Sequence, residues 1–365
     1  MRVPIANLAQ ISRTDRWAAL GPYYAMFPVE FAFRTILAHS KKGDGVLDPF
    51  CGRGTAIYAA AALGRKSLGV EINSVGWIYG KTKLCPASQA RVLERLREIG
   101  RLAKRYRRHN RLPKFFQHAF SSKVLQFLLA ARDHLDWERS RVDRTLMAIL
   151  LVYLHGKEKQ ALSNQMRQTK AMSPSYSIRW WKANGKVPPK IDPVTFLTPR
   201  IKWRYKKPRP AHKTSDVVLG DATAVLSNGA ARADTKYRLL LTSPPYYHVT
   251  NYNYDQWLRL WLLGGAEKPA YSNGKWQSKF ANKDAYKELL TVVFTSAKSQ
   301  LHDDAIIYVR TDAREFTKTT TIAVLESVFS GKAIQILDRP MNGLSQTRLY
   351  GDESSKPGEV DIILR

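Results

Sequence analysis

Short apolar runs alternate with helix-forming stretches in the first quarter of the chain. Residues 27–38 predict a helix that opens at Pro28, and residues 46–48 predict a short buried strand. An alanine-rich helix is expected over residues 55–63 and a second strand over residues 67–72. A strand, a helix and a strand in this order are typical of a βαβ unit, and they indicate a parallel α/β sheet.

The strand pattern returns only after a long segment with helical periodicity. Helices are predicted within this segment at residues 92–102, 124–135 and 146–154, and seven prolines between residues 173 and 210 predict an irregular stretch with short elements. Later residues predict further strands and helices, with strands at residues 217–219, 239–241, 305–309, 334–337 and 360–364 and helices at 286–301 and 320–329. We therefore expect a sheet built from residues 1–75 and 216–365, interrupted by a mainly helical insertion over residues 76–215.

Composition indicates a globular protein with an anionic partner. The chain has 365 residues, of which 44% are hydrophobic, and 59 Lys and Arg against 30 Asp and Glu give a net charge of +29. Residues 76–215 contain 32 of the basic residues and 8 of the acidic ones, so this segment carries +24. Nucleic acid is the partner that such a balance favours.

Other functional classes are disfavoured by what the chain contains. Its longest apolar run, residues 146–154, is far shorter than the roughly 20 residues of a bilayer span, so we expect a soluble cytoplasmic protein without membrane contact. Cys51 and Cys85 form no CxxC pair and no His/Cys cluster has ligand spacing, so we expect neither a disulfide framework nor a metal.

A glycine loop follows the first predicted strand. Gly52 and Gly54 lie between Phe50 and Thr55, and glycines let a ligand approach the backbone closely. The third glycine of the dinucleotide fingerprint is absent. Glu71, at the tip of the next strand, can accept hydrogen bonds from both hydroxyls of a ribose. These features leave NAD and S-adenosylmethionine both open.

A second motif follows the strand at residues 239–241. Ser243, Pro244, Pro245 and Tyr246 come at the carboxyl end of the sheet, where open α/β folds bind ligands. Prolines lack an N–H group, so the turn offers mainly acceptors, and an exocyclic amino group is a matching donor. The alternative is a turn that the two prolines merely stiffen.

Together, the stretch from Asp48 to Thr55 and the stretch from Ser243 to Tyr246 resemble the S-adenosylmethionine-dependent DNA methyltransferases that modify N4 of cytosine or N6 of adenine. The resemblance covers roughly residues 15–75 and 215–365. It implies a Rossmann-like class I methyltransferase sheet, S-adenosylmethionine as cofactor and target recognition by the insertion. The cofactor-binding residues that it implies are Phe27, Asp48, Phe50, Gly52, Gly54, Thr55, Glu71 and Asp221.

The resemblance also implies the catalytic set Ser243, Pro244, Pro245 and Tyr246. The Ser243 hydroxyl and the Pro244 carbonyl would accept the amino hydrogens, while Tyr246 would stack on a base rotated out of the duplex. Serine at the first position favours N4 of cytosine, with N6 of adenine as the alternative. Methylation at cytosine C5 needs a thiolate in the corresponding loop, and this loop has none.

The DNA contacts are expected in the insertion. Candidates for base recognition are Arg167, Lys170, Arg179 and Lys182, and candidates for phosphate contacts are Lys206, Lys207 and Arg209. Contacts to phosphates alone are the alternative for the first four residues. A separate restriction endonuclease is a further expected partner.

Two rival functions stay open. The tRNA guanine-N2 methyltransferases share a Pro-Pro-Tyr turn and a basic surface, but they usually have Asp before the prolines and an N-terminal RNA-binding domain. A catalytically silent DNA-binding protein could keep the fold for architecture. Glu71, Asp221 and Ser243 disfavour it, because such a protein does not need them.

Overall fold

A single twisted sheet organises the molecule in a computed structural model that describes residues 16–22, 28–106, 111–206, 214–227, 236–248, 252–269, 282–339 and 358–365. Its strands are β1 (Gly45–Asp48), β2 (Lys66–Glu71), β3 (Ser215–Leu219), β4 (Tyr237–Thr242), β5 (Leu301–Asp312), β6 (Ile334–Arg339) and β7 (Glu359–Leu364). They lie in the order β3-β2-β1-β4-β5-β7-β6. Neighbours among the first five strands pair in parallel, and β7 runs antiparallel between β5 and β6. This topology confirms the predicted α/β class.

Helices cover both faces of the sheet and form the insertion. In chain order they are α1 (Val29–His39), α2 (Thr55–Ala62), α3 (Ser74–Leu84), α4 (Gln89–Ala103), α5 (Lys114–Ala119), α6 (Ser122–His134), α7 (Arg141–Tyr153), α8 (Pro174–Ala183), α9 (Pro193–Tyr205), α10 (Ala222–Ser227), α11 (Tyr252–Asp255), α12 (Trp257–Leu262), α13 (Lys283–Lys298) and α14 (Glu315–Val328). Helices α1 and α2 pack on one face, and α10, α13 and α14 pack on the other. Side chains of β1 point alternately to the two faces of the sheet. Val46 packs with α1 and α2, and Leu47 packs with α10, α13 and α14.

The connection between β2 and β3 contains the helical segment from α3 to α9. Helix α3 packs on the sheet itself, and its Trp77 side chain donates a hydrogen bond to the Val217 carbonyl of β3 at 3.0 Å. Helix α12 packs with the insertion, since Trp257 and Trp261 contact the aromatic rings of α5. The segment after the Ser-Pro-Pro-Tyr turn is therefore built into the helical core. The division at residues 75/76 and 215/216 stays a prediction.

The proline-rich stretch differs from its prediction. Two helices of 10 and 13 residues, α8 and α9, occupy most of the region that was expected to be irregular with short elements. Pro174 and Pro193 lie in the first turn of each helix, where a missing N–H group costs nothing, and Pro199 is accommodated inside α9. Asp192 also caps α9, because its carboxylate accepts a hydrogen bond from the Thr195 amide at 2.8 Å.

Among the helices of the described ranges, none has the length and apolar character needed to cross a membrane. Cys51 is buried and Cys85 is exposed, and both are free thiols. Cys51 packs in the core beside Gly69.

Candidate active site

The glycine loop lies between the end of β1 and the start of α2. Gly52 and Gly54 have φ angles of 52° and 72°, in the left-handed region that glycine adopts without strain. A Cβ atom on Gly54 would also lie 2.9 Å from the Gly80 Cα of α3. The loop can therefore pack directly against the backbone of α3 only with glycine at position 54.

Glu71, the last residue of β2, lies against this loop. Its side chain is buried and accepts a hydrogen bond from the Asn73 amide at 2.8 Å. Burial raises the pKa of Glu71 to about 7, although the N–H groups of Asn73 and Gly52 oppose the rise. The carboxyl group is thus a buried acceptor beside the glycine loop, where the sequence predicted it.

Asp48 links the glycine loop to the neighbouring strand. Its Oδ1 accepts hydrogen bonds from the Thr242 hydroxyl at 2.6 Å and from the Phe50 amide at 3.2 Å. The side chain is 1% exposed, and this burial raises the pKa of Asp48 to about 7, against the two hydrogen bonds. Because Thr242 directly precedes Ser243, Asp48 holds the two sequence motifs together.

Asp221 follows β3 at the same edge of the sheet. The neighbouring Gly220 amide donates a hydrogen bond to the Glu71 carbonyl at 3.0 Å, which brings the two acidic residues to adjacent strand ends. Asp221 Oδ1 accepts a hydrogen bond from the Thr223 amide at 3.0 Å. The carboxyl edge of the sheet therefore gathers Asp48, Glu71, Asp221 and the turn at Ser243.

The Ser-Pro-Pro-Tyr turn follows directly after β4. Its two prolines are buried, and Ser243 and Tyr246 are half-buried. The Ser243 hydroxyl donates to the Tyr246 hydroxyl at 3.3 Å, and the Tyr246 hydroxyl donates to Glu359 Oε1 of β7 at 3.3 Å. Tyr247 instead packs against Phe316, with ring centroids 4.7 Å apart. Tyr246 is thus the tyrosine of the turn whose hydroxyl faces the site.

The remaining residues of the predicted cofactor set have packing or supporting positions. Phe50 is half-buried against the core on one face of the sheet. Thr55 is buried and its hydroxyl accepts a hydrogen bond from Arg53 Nε at 3.2 Å. Phe27 lies outside the described residues. The assignment of these three residues to cofactor binding stays a prediction, as does that of the rest of the set.

Two residues near the site were not among the predicted ones. Arg53 is buried in the glycine loop, where it donates to the Gly21 carbonyl at 2.8 Å, and burial lowers its pKa to about 10. Glu359 contacts Tyr246 from β7. The signal for Glu359 was its place at the head of an apolar strand, where a carboxyl group needs a partner.

The predicted DNA-contact residues fall into three groups. Arg179, Lys182 and Lys206 are exposed and Arg167 is half-buried, whereas Lys207 and Arg209 lie outside the described residues. Lys170 forms an ion pair at 2.8 Å with Asp255, whose side chain is 3% exposed. An ion pair to so buried a carboxylate ties Lys170 to α11 and makes it a less available contact for DNA.

The seven-stranded sheet, with acidic residues and glycines at its carboxyl edge, agrees with the predicted Rossmann-like α/β fold of the class I methyltransferases. Comparison with known proteins narrows the class. Residues 6–75 match the N6/N4 methyltransferase family model, described as DNA methylase. This match supports a relationship between the chain and the DNA amino-methyltransferases.

Curated relatives match over short segments. The type II methyltransferase M.MthZI of Methanothermobacter thermautotrophicus is 51% identical over 49 residues, which are 13% of this chain and 14% of the relative. The DNA adenine methyltransferase YhdJ of Escherichia coli K12 is 45% identical over 78 residues, 20% of this chain and 26% of the relative. The chain thus spans about a quarter or less of the length of these two relatives.

A solved structure of the rRNA methyltransferase aviRa from Streptomyces viridochromogenes aligns over 100% of this chain and 94% of that one. The TM-score is 0.37 and the identity is 12%, a similarity that carries no functional information.

Proposed function

We propose that this protein is an S-adenosylmethionine-dependent DNA methyltransferase that modifies N4 of cytosine. The hydrogen bond of 2.6 Å between Thr242 and Asp48 carries the proposal, because it joins the glycine loop to the Ser-Pro-Pro-Tyr turn. These loops follow the adjacent parallel strands β1 and β4. Groups that suit a nucleoside cofactor and groups that suit an amino substrate therefore meet at one edge of the sheet.

The donor and acceptor chemistry of this edge fits S-adenosylmethionine. Glu71 presents a carboxyl group to the ribose hydroxyls, and Asp221 presents one to the adenine amino group. Gly52 and Gly54 let the backbone of the loop come close to the ligand. The bound cofactor supplies a methyl group on a positively charged sulfur, which makes that carbon electrophilic.

The residues of the turn address the main difficulty of the reaction. The target amino nitrogen is a poor nucleophile because its lone pair is delocalised into the ring. The Ser243 hydroxyl oxygen and the Pro244 carbonyl accept the two amino hydrogens and help to localise the lone pair on nitrogen. Tyr246 stacks on the base after the base has left the duplex. Holding the reactants in this geometry can lower the barrier by about 7–11 kcal/mol in favourable cases.

The identity of the base rests on Ser243. The resemblance associates serine at this position with cytosine more often than with adenine. N6 of adenine is the second candidate, and the identity of 45% over 78 residues with the DNA adenine methyltransferase YhdJ favours it.

DNA is the proposed polymer because the insertion concentrates the positive charge. Helix α8 exposes Tyr176, Arg179 and Lys182 on one face, while Ser177 and Trp181 on the opposite face are buried. Helical periodicity of 3.6 residues accounts for this separation. The exposed face thus combines two cations with an aromatic ring, a combination suited to phosphates and bases.

The proposal is tested by nucleoside mass spectrometry on DNA and RNA incubated with the protein and methyl-labelled S-adenosylmethionine. We expect labelled N4-methylcytosine in DNA, and its loss with Ser243→Ala but not with Ser299→Ala, a matched change of an exposed serine at the end of α13. Labelled N6-methyladenine would keep the mechanism and change the base. Label in RNA alone would contradict the choice of polymer. DNA binding without any label would indicate an architectural protein.

A further inference from the structure

A cluster of charged side chains lies beside the Ser-Pro-Pro-Tyr turn, on β5 and β7. Arg310 is 8% exposed and binds Asp361 through two hydrogen bonds of 2.6 and 2.9 Å. Arg310 also forms an ion pair of 3.2 Å with Glu359 Oε2, and its guanidinium lies over the ring of Phe31. Glu359 pairs with Asp312 in the antiparallel register of β5 and β7, so both carboxyl groups lie at the edge where β5 ends.

The two oxygens of Glu359 have different partners. Oε2 faces Arg310, and Oε1 accepts the hydrogen bond from the Tyr246 hydroxyl at 3.3 Å. The Tyr246 hydroxyl oxygen in turn accepts from Ser243 Oγ at 3.3 Å. The hydroxyls therefore form a directed chain, from Ser243 through Tyr246 to Glu359.

We infer that Glu359 is a positioning residue that makes the Ser243 hydroxyl an acceptor towards the target amino group; this inference rests on the proposed function. A serine hydroxyl can donate or accept, whereas an ionised carboxylate only accepts. With Glu359 as the terminal acceptor, the Tyr246 hydrogen points to Glu359 and the Ser243 hydrogen points to Tyr246. The lone pairs of Ser243 Oγ are then left for the amino hydrogens of the base.

The surroundings of Glu359 make the chain sensitive to pH. Burial raises the pKa of Glu359 above its ordinary value and the nearby Asp361 and Asp312 add to the rise, whereas Arg310 of β5 and the hydrogen bond from Tyr246 oppose it. Arg339 of β6 pairs with Glu359 in the antiparallel register of β6 and β7, and its side chain is bound to Asp361 at 2.9 Å. A protonated Glu359 could donate to Tyr246 and reverse the chain, which would turn the Ser243 hydrogen towards the base. We therefore expect kcat to fall in acid at a higher pH than for an ordinary glutamate.

A double-mutant cycle between Glu359→Gln and Tyr246→Phe tests the inference, with methylation of DNA as the readout. Glutamine can donate as well as accept, so Glu359→Gln leaves the direction of the chain undefined. We expect kcat to fall about tenfold, the effect of one oriented hydrogen bond, with KM for DNA and cofactor within about twofold. The acid limb of the kcat profile should disappear. Asp338→Asn, on the exposed part of β6, is the matched control and should behave as the unchanged protein does.

The two substitutions act through one chain, so their effects should not multiply. In the Tyr246→Phe background, Glu359→Gln should change kcat by less than about twofold. Tyr246→Phe alone should also remove the acid limb of the kcat profile. This variant leaves Glu359 unchanged, so it tests the inference even if Glu359→Gln folds poorly. Independent multiplication of the two effects, or an acid limb that survives in Tyr246→Phe, would overturn the inference while leaving the methyltransferase proposal intact. Absence of methylation by the unchanged protein would instead overturn the proposed function and this inference with it.

Discussion

Asp48 offers the sharpest physical test of the site, because its carboxyl group is buried and the Thr242 hydroxyl and the Phe50 amide that donate to it are both neutral. Burial raises its pKa from the ordinary 3.8 to about 7. Between these two pH values the unfolded chain releases the Asp48 proton while the folded protein keeps it. Folding stability contributed by this group is therefore present below pH 3.8 and is lost progressively as the pH rises to about 7.

The magnitude follows from the two pKa values. One pH unit corresponds to about 1.4 kcal/mol, so a pKa difference of about 3 corresponds to about 4 kcal/mol. Asp48→Asn removes the titration but keeps the geometry, because both observed hydrogen bonds go to Oδ1, and an amide oxygen can accept them equally well. Relative to the unchanged protein, the variant should gain stability by up to about 4 kcal/mol between pH 4 and pH 8.

Urea unfolding followed by tryptophan fluorescence at several pH values measures this difference. Other acidic groups, such as Glu71, occur in both proteins and largely cancel in the comparison. Asp303→Asn changes an exposed aspartate of β5 and is the matched control. Parallel stability curves for Asp48→Asn and the unchanged protein from pH 5 to pH 8 would refute the reasoning, since burial would then not be keeping the carboxyl group neutral.

Three further predictions concern the cofactor, the DNA and the loop. Because the pKa of Glu71 is about 7, S-adenosylmethionine affinity should rise up to about tenfold per pH unit as the pH approaches 7 and then level off. Calorimetry with Glu71→Gln should show weaker binding of the cofactor, a smaller dependence of that binding on pH, and an unchanged affinity for DNA. An equal loss of cofactor affinity and DNA affinity would contradict the assignment of Glu71 to cofactor binding. Replacing Arg179 and Lys182 by Ala should weaken DNA binding on all sequences and lower the salt slope by about 1 per lost phosphate contact, whereas loss on one sequence alone would identify base readers. In urea unfolding, Gly54→Ala should destabilise the protein by more than Gly43→Ala. Both glycines have a positive φ, but only a Cβ at position 54 would meet the backbone of α3. Equal losses of stability would contradict the close packing of the loop on α3.

The sequence predicted the positions of the first two strands and of the glycine loop well because the information for them is local. β1 and β2 each end with buried residues that run into an acidic one, and the glycine loop after β1 leads directly into a helix. Parallel pairing of β1 with β2 and β4 then places all three strand ends at one edge. Chemistry at strand ends can thus be predicted once the strands themselves are recognised.

The proline-rich region was predicted less well because a proline has opposite effects at different helix positions. Seven prolines indicate broken structure when they are merely counted, yet Pro174 and Pro193 begin helices. The distinction depends on where each proline falls in its helix; Asp192, directly before Pro193, also caps α9, whereas Ser173 before Pro174 makes no side-chain capping bond. Lys170 illustrates a different limit, because its partner Asp255 follows 85 residues later and is buried by packing that no local pattern reveals.

Glu359 shows why the acceptor geometry of the site could not be inferred from its motif. The Ser-Pro-Pro-Tyr turn specifies which groups are present, but a hydroxyl has no fixed direction until its neighbours are known. The neighbour that gives it direction lies 113 residues beyond Tyr246, on a strand inserted antiparallel between β5 and β6. Had β7 paired at the outer edge of β6, Glu359 would lie two strands away from β5 and could not reach the turn. The direction of the hydroxyl chain is therefore a property of the strand order, and the Ser-Pro-Pro-Tyr motif alone does not specify it.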